Sequence, residues 1–319
     1  MKKYSIIALA FLVLLTAVSC KKDYLETKPT DEVSSAGVFT TTSNAMIALN
    51  GVHRILYRQH YGNQDQGGQS ANMLYMENLG EDFVNTTTGN NWFIATYRYQ
   101  AHRNINSTVP YFNYAFYYEI IGNVNLIIAN IDAAEGPIGD KNQIKGEALT
   151  YRAWSYYQMV QLFGKRYVKG GDNSTLGVPL VLTPGLEKKP RATVEEVYTQ
   201  INIDLTDAIA ALSAATPRIN KSHLNVNVAQ GVRARVALTQ QNWATAITAA
   251  QAARAGATLM TPAQLLSGFN DYNNSEWIWG SHQQADQQTY FYSLFAYNSN
   301  FSSTNTRGNP KAINSLLYN

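Results

Sequence analysis

Asn90-Asn91-Trp92 sets planar amides beside a large flat ring within three residues. Flat rings stack on the C–H faces of pyranose sugars, and amides hydrogen-bond the sugar hydroxyls. Tyr97, Arg98 and Tyr99 follow on the same segment. Trp92, Asn91 and Tyr97 are therefore ligand-binding candidates, and the competing reading has Trp92 packed under its own loop. Tyr290 and Tyr292 share a face if their Gln- and Ser-rich segment is extended, and they complete the candidate set. Glu276-Trp277-Ile278-Trp279 alternates like a strand, which places both tryptophans on one face for core packing. Tyr111 to Tyr118 is an aromatic stripe at helical spacing and reads as core.

Signatures of catalysis are weak. The chain has no His-Glu-x-x-His, no nucleophile elbow and no phosphate loop. Its five histidines, at 53, 60, 102, 223 and 282, are widely spaced. Glu77, Glu81 and Asp82 are the acids from which a glycosidase pair about 5–10 Å apart would have to come. Acids this close in sequence read as a solvated face. Asn270, Asp271, Asn273 and Asn274 offer oxygens to Ca²⁺ but lack EF-hand spacing, so a polar loop is expected. The reading is a non-enzyme with no catalytic residue, no metal and no cofactor.

The N-terminus carries a different chemistry. Lys2 and Lys3 precede an apolar run from Ile6 to Val18, which is too short to span a bilayer. Ala17-Val18-Ser19 then lead into Cys20, the only cysteine in 319 residues. Small residues before a cleavage point and a thiol after it form a lipobox, in which the thiol receives diacylglycerol. Residues 1–19 are expected to be a lipoprotein signal peptide, with Cys20 as the lipidation site. A polar tether is expected over 20–35. A lone cysteine excludes an internal disulfide framework. The formal net charge is +3, and loss of Lys2 and Lys3 leaves the mature chain nearly neutral. Nucleic acid is therefore not an expected partner.

Helical signals dominate the rest. Thr42 to Leu56 carries Ala45, Leu49, Val52 and Leu56 at helical spacing. Tyr111 to Ile131 carries Tyr114, Tyr118, Ile121, Ile128 and Ile131. A third helix, capped by Asp140, runs to Phe163 with Leu149, Tyr156, Met159, Val160 and Phe163 on one side. Thr193 and Glu196 form a capping box before Val194, Val197, Ile201, Leu205, Ala208 and Leu212. Asn225 to Thr239 and Asn242 to Ala255 make a further pair, in which Trp243, Ala246, Ile247 and Ala250 suggest large-then-small repeat packing. Gly62 to Asn72, Asp82 to Pro110 and Gly268 to Pro310 break the pattern and read as long loops. The expected class is all-α: paired antiparallel helices of tetratricopeptide-like type, with long irregular loops and minor β-structure.

A series of ordered motifs resembles the SusD/RagB family of outer-membrane nutrient-binding lipoproteins. Cys20-Lys21-Lys22-Asp23-Tyr24-Leu25-Glu26 with Pro29 is similar to the start of the mature family sequence. Ala48-Leu49-Asn50-Gly51-Val52 resembles its first helix, and Asn125 to Ile131 its next signature. The most specific stretch is Gly146-Glu147-Ala148, Tyr151-Arg152-Ala153 and Tyr156-Tyr157, ending Leu162-Phe163-Gly164. Gly177-Val178-Pro179-Leu180 and Pro190-Arg191-Ala192-Thr193 follow in order. Within the strongest motif, Glu147 and Arg152 are expected to form a partly buried polar contact that sets helix register.

The resemblance implies a surface-exposed lipoprotein anchored in the outer membrane. It implies binding of glycan or another neutral nutrient, and delivery to a partner TonB-dependent transporter. The alternative reading is a helical-repeat adaptor binding protein or peptide at the cell surface. Members are usually longer, so the domain over 36–319 is expected to lack its C-terminal part.

Overall fold

The computed structural model describes residues 35–60, 65–87, 91, 93–268, 271–282 and 310–318. The chain divides into two units, Met1–Val38 and Phe39–Asn319. In the first, the described residues form the short helix α1, Ser35–Val38. Cys20, Trp92, Tyr290 and Tyr292 lie outside the described residues.

The second unit is helical. Its long helices are α2 (Thr42–Ile55), α3 (Gly68–Leu79), α5 (Thr108–Asn130), α6 (Ile138–Phe163), α7 (Val194–Ser213), α8 (Val226–Thr239) and α9 (Trp243–Ala253). Short helices α4 (Ile94–Tyr97), α10 (Pro262–Leu266) and α11 (Ser315–Tyr318) lie between or after them. The β-structure is minor, as expected. Strand β1 (Phe83–Asn85) pairs antiparallel with β4 (Lys311–Ile313), placing Phe83 opposite Ile313. Strand β2 (Leu176–Pro179) pairs antiparallel with β3 (Arg191–Thr193). Among the described residues, no helix is long and apolar enough to cross a membrane.

Local chemistry starts the helices where the sequence signals lie. Thr41 caps α2 by accepting from the Asn44 amide at 3.2 Å. The capping box of α7 is complete. Thr193 Oγ1 accepts from the Glu196 amide at 3.2 Å, and Glu196 Oε2 accepts from the Thr193 amide at 2.7 Å. Asn225 caps α8 and Asn242 caps α9. Helix α6 differs from expectation: its cap is Pro137, and Asp140 sits in the first turn, where a carboxylate favours the helix dipole.

The packing is antiparallel. Tyr114 near the start of α5 meets Phe163 at the end of α6, with ring centroids 5.4 Å apart. The Thr216 amide just past α7 donates to the Gly139 carbonyl at the start of α6, at 3.0 Å. Asn227 at the start of α8 donates to the Ala252, Ala253 and Ala255 carbonyls at the end of α9. Helices α6 and α7 approach closely at Gly146. A Cβ there would lie 2.5 Å from Leu212 Cγ and 3.2 Å from the Ala208 carbonyl oxygen.

All six apolar positions read on α7 are buried, from Val194 to Leu212. Three other expectations need correction. The Gly62 to Asn72 break is in part helix α3, which buries Leu74 and Tyr75. The stripe over Tyr111 to Ile131 is inward only in part: Ile121 and Ile131 are buried, and Tyr118 and Ile128 are half-buried against the core. Phe112, Phe116, Tyr117, Ile120, Val124 and Ile127 are buried, whereas Tyr111 and Tyr114 are 61% and 37% exposed. Nearly continuous apolar sequence hides which face turns inward. On α9, Ala246, Ala249 and Ala253 face the core, while Trp243 and Ile247 are exposed together with Leu238 of α8. The small side of that pattern packs, and the large side does not.

Arg152 and Glu147 do not pair with each other. Five residues along a helix is a rotation of about 140° beyond a full turn, so the two side chains leave α6 on different faces. Arg152 Nε and Nη2 donate to the two oxygens of Asp204 on α7, at 2.8 and 2.7 Å. Its Nη1 donates to Asn125 Oδ1 on α5 and to the Leu182 carbonyl, at 3.0 and 3.2 Å. Both charged groups are buried. Removing one partner of a buried ion pair leaves the other charge uncompensated, at a cost of about 3–5 kcal/mol. Urea unfolding of Asp204→Ala is expected to show a loss in that range. Arg152→Met combined with Asp204→Leu removes both charges and is expected to cost less than Asp204→Ala alone.

Candidate functional site

Of the predicted ligand-binding residues, Asn91 and Tyr97 are described. Asn91 is exposed and Tyr97 is half-buried. Their segment has unusual backbone geometry. Asn91, Phe93 and Tyr99 all lie in the left-handed region, at φ 61°, 56° and 59°. Aromatic residues rarely adopt that region, and such strain clusters at binding sites and clamps. Asn91 and Phe93 are the chain neighbours of Trp92. The Phe93 ring is buried against Tyr75, with centroids 5.2 Å apart. Backbone bonds from Tyr97 N to Phe93 O and from Gln100 N to Ala95 O close the turn, both at 2.8 Å. Tyr99 is 44% exposed and donates its hydroxyl to the Leu79 carbonyl at 2.9 Å. The result is a plugged loop with exposed polar and aromatic groups around its rim.

The Glu276–Trp279 segment is not a strand; its backbone follows turns and bends. Trp279 makes edge contacts with Trp154 and Tyr151 of α6, with centroids 6.4 and 6.1 Å apart. Its indole N–H donates to the Ser222 carbonyl at 3.2 Å. A cleft of about 330 Å³ lies beside it, walled by Trp154, Tyr157, Val228, Val232, Ile278 and Trp279. Tyr157 bonds the Arg235 carbonyl and Thr239, Asn227 bonds the carbonyls at the end of α9, and the exposed Arg235 side chain completes the lining. In the neighbouring turn, Asp271 and Asn274 accept from the amides of Asn273 and Glu276, as in an ordinary polar loop.

Folding also assembles a cluster that sequence spacing concealed. His53 at the end of α2 and His223 before α8 converge on Glu147 of α6. His53 Nε2 lies 3.2 Å from Glu147 Oε2, and His223 Nδ1 lies 3.0 Å from Oε1. The Leu224 amide donates to Oε2 at 2.8 Å, and Gln143 Nε2 donates to Oε1 at 2.7 Å. Glu147 is completely buried. Burial pushes its carboxyl up, but the hydrogen bonds from His223 and His53 outweigh that and hold it at about 2. Only the family motif around Glu147 marked this region, and no local pattern linked it to histidines far away in the chain.

Paired antiparallel helices with long irregular loops and minor β-structure define a tetratricopeptide-like scaffold. The chain belongs to the SusD-like family described as starch-binding and associating with the outer membrane, whose model matches residues 23–238. A SusD-like carbohydrate-binding protein from Bacteroides vulgatus superposes with a TM-score of 0.69 at 27% identity, over 80% of this chain and 53% of that one. A SusD superfamily protein from Bacteroides thetaiotaomicron gives 0.69 at 24% identity, over 86% and 60%. A laminarin-binding SusD-like protein gives 0.57 at 19% identity, over 74% and 50%. The last two share the fold alone. The chain thus spans about half to three-fifths of the length of these structures. No curated protein matches the sequence.

Glu147 yields a pH prediction. Its folded value lies below the ordinary 4.5, so its contribution to stability is fully present above 4.5 and is lost as pH falls toward about 2. Denaturant midpoints in chelator-containing buffer are expected to drop across that window. Glu147→Gln is expected to be less stable at pH 7 and to show a shallower drop.

Proposed function

We propose that this chain is a non-catalytic glycan-binding lipoprotein that holds a neutral oligosaccharide at the outer membrane and delivers it to a partner TonB-dependent transporter. Family membership supports the ligand class and the membrane. The observation that carries the choice of site is the left-handed backbone on both sides of Trp92. Phe93 is fixed in the core, which costs strain, and the reward for that strain lies on the exposed side of the loop. Trp92 is the stacking ring, Asn91 the hydroxyl-binding amide and Tyr97 a flanking wall. Tyr290 and Tyr292 are proposed as further ring contacts. Cys20 carries the lipid, and its acyl chains supply the anchor at about 0.8 kcal/mol per buried methylene.

The exposed row of Leu238, Trp243 and Ile247 favours a second reading, an adaptor whose helical face contacts protein. The loop and the helical face are separable by mutation. In a glycan panel read by calorimetry, Trp92→Ala is expected to weaken binding about tenfold, or ~1.4 kcal/mol. Trp243→Ala is expected to leave it unchanged. Glycan binding at full strength in Trp92→Ala removes the loop from the site, and loss on Trp243→Ala moves the site to the helical face.

The anchor is tested separately. Cys20→Ser is expected to abolish fatty-acid labelling and to shift the protein from the membrane fraction to the soluble one. Membrane retention without label would refute lipidation as the attachment.

A further inference from the structure

The His53–Glu147–His223 cluster offers more than hydrogen bonds. Its ligand atoms, one per residue, lie within 4.8 Å of one another. Two imidazole nitrogens and a carboxylate oxygen are a ligand set for zinc-type first-row cations, whereas Ca²⁺ and Mg²⁺ take oxygen shells. His53 Nε2 and His223 Nδ1 face different oxygens of Glu147, at 3.2 and 3.0 Å. A turn of the carboxylate, with small movements of the two rings, would bring one of its oxygens and both nitrogens around one ion at bonds of ~2.0 Å. The ligands come from three elements that other contacts already fix. Arg218 steadies the loop of His223 by donating to the His223 and Ile278 carbonyls, both at 2.9 Å.

Two independent observations point to a ligand at this place. Tyr151, one turn along α6 from Glu147, has a buried hydroxyl with no hydrogen-bond partner among the described residues. Its ring lies 5.5 Å from that of His53, and the charge of Glu147 acts on it. A water bound to an ion would give that hydroxyl a partner. Beside the cluster, a cavity of about 400 Å³ is lined by His223, Gln143, Thr42 and Arg218. Of the three ligands it reaches His223, so an ion and an exchangeable fourth ligand would approach from that side.

We infer that His53, Glu147 and His223 form a binding site for a zinc-type divalent cation, with a fourth position open to water. Each neutral imidazole then binds through the nitrogen that now faces Glu147 and carries its single proton on the other one. Glu147 gives one oxygen to the ion and keeps its bonds from the Leu224 amide and Gln143. The ion ties α2, α6 and the loop before α8 together, independently of any glycan at the Asn91–Tyr99 loop.

The test uses untagged full-length protein, stripped with chelator and titrated with Co²⁺. One equivalent is expected to bind saturably with the intense visible absorption of tetrahedral cobalt, to be displaced by Zn²⁺, and to raise the thermal midpoint. His53→Asn and His223→Asn retain an amide donor toward Glu147, so both are expected to fold, as checked by circular dichroism. Each is expected to lose more affinity than the roughly 10–100-fold that removal of an outer-shell partner costs. Absence of saturable cobalt binding in the folded parent chain overturns the proposal, as does cobalt binding unchanged in both histidine variants.

Discussion

A guanidinium held inside a stack of helices sets the terms for everything around it. Arg152 cannot keep its charge in the interior unless Asp204 meets it with both oxygens and Asn125 and Leu182 take its remaining N–H groups. Those partners come from α7, α5 and the strand-to-loop segment beyond β2. A slip of α6 by one turn, about 5.4 Å, would strand the charge. Buried ion pairs add little net stability compared with apolar packing, but they penalise wrong registers heavily. Tyr156 and Tyr118 extend the same control, bonding the Val181 and Pro179 carbonyls at 2.8 and 2.6 Å. The irregular segment after β2 thereby takes a single path across the helices.

Glu147 does the corresponding work on another face of α6. It gathers α2 through His53 and the entry to α8 through His223 and the Leu224 amide. One helix thus carries two anchors, each a buried charge with a full set of partners. Between them they fix the neighbours that the loops rest on. The close approach of α6 and α7 at Gly146 lets the Arg152 anchor reach its partner on α7.

How much of this could be read from residues alone depended on range. Helix α7 was legible because its cap, its apolar repeat and its burial are all local and agree. Helix α3 was not, because Gly68, Gln69, Ser70 and Asn72 have the composition of a loop. In fact Gly68 is there for a different reason: its φ of +60° and its contact with the Leu56 and Tyr57 backbone leave no room for a side chain. The inward face of α5 was legible only in part, at Ile121 and Ile131, because apolar residues occur almost all round it. The motif around Glu147 and Arg152 marked the right residues, but only the fold shows that they serve different partners. The histidine cluster had no local trace, since its members meet only through tertiary structure. For the candidate glycan loop, the residue types were legible and the left-handed backbone was not.

The plug formed by Phe93 has a consequence for how this scaffold can change. Loop shape is set by a ring facing inward, by backbone bonds and by the Tyr99 hydroxyl on the Leu79 carbonyl. Asn91 is restricted by its left-handed backbone. An exposed position such as Arg98 carries neither burden and can be exchanged while the path of the chain stays the same. A lineage can then alter the exposed chemistry of the loop by drift at such positions, while the inward ring and the Tyr99 tie keep it on the helices beneath.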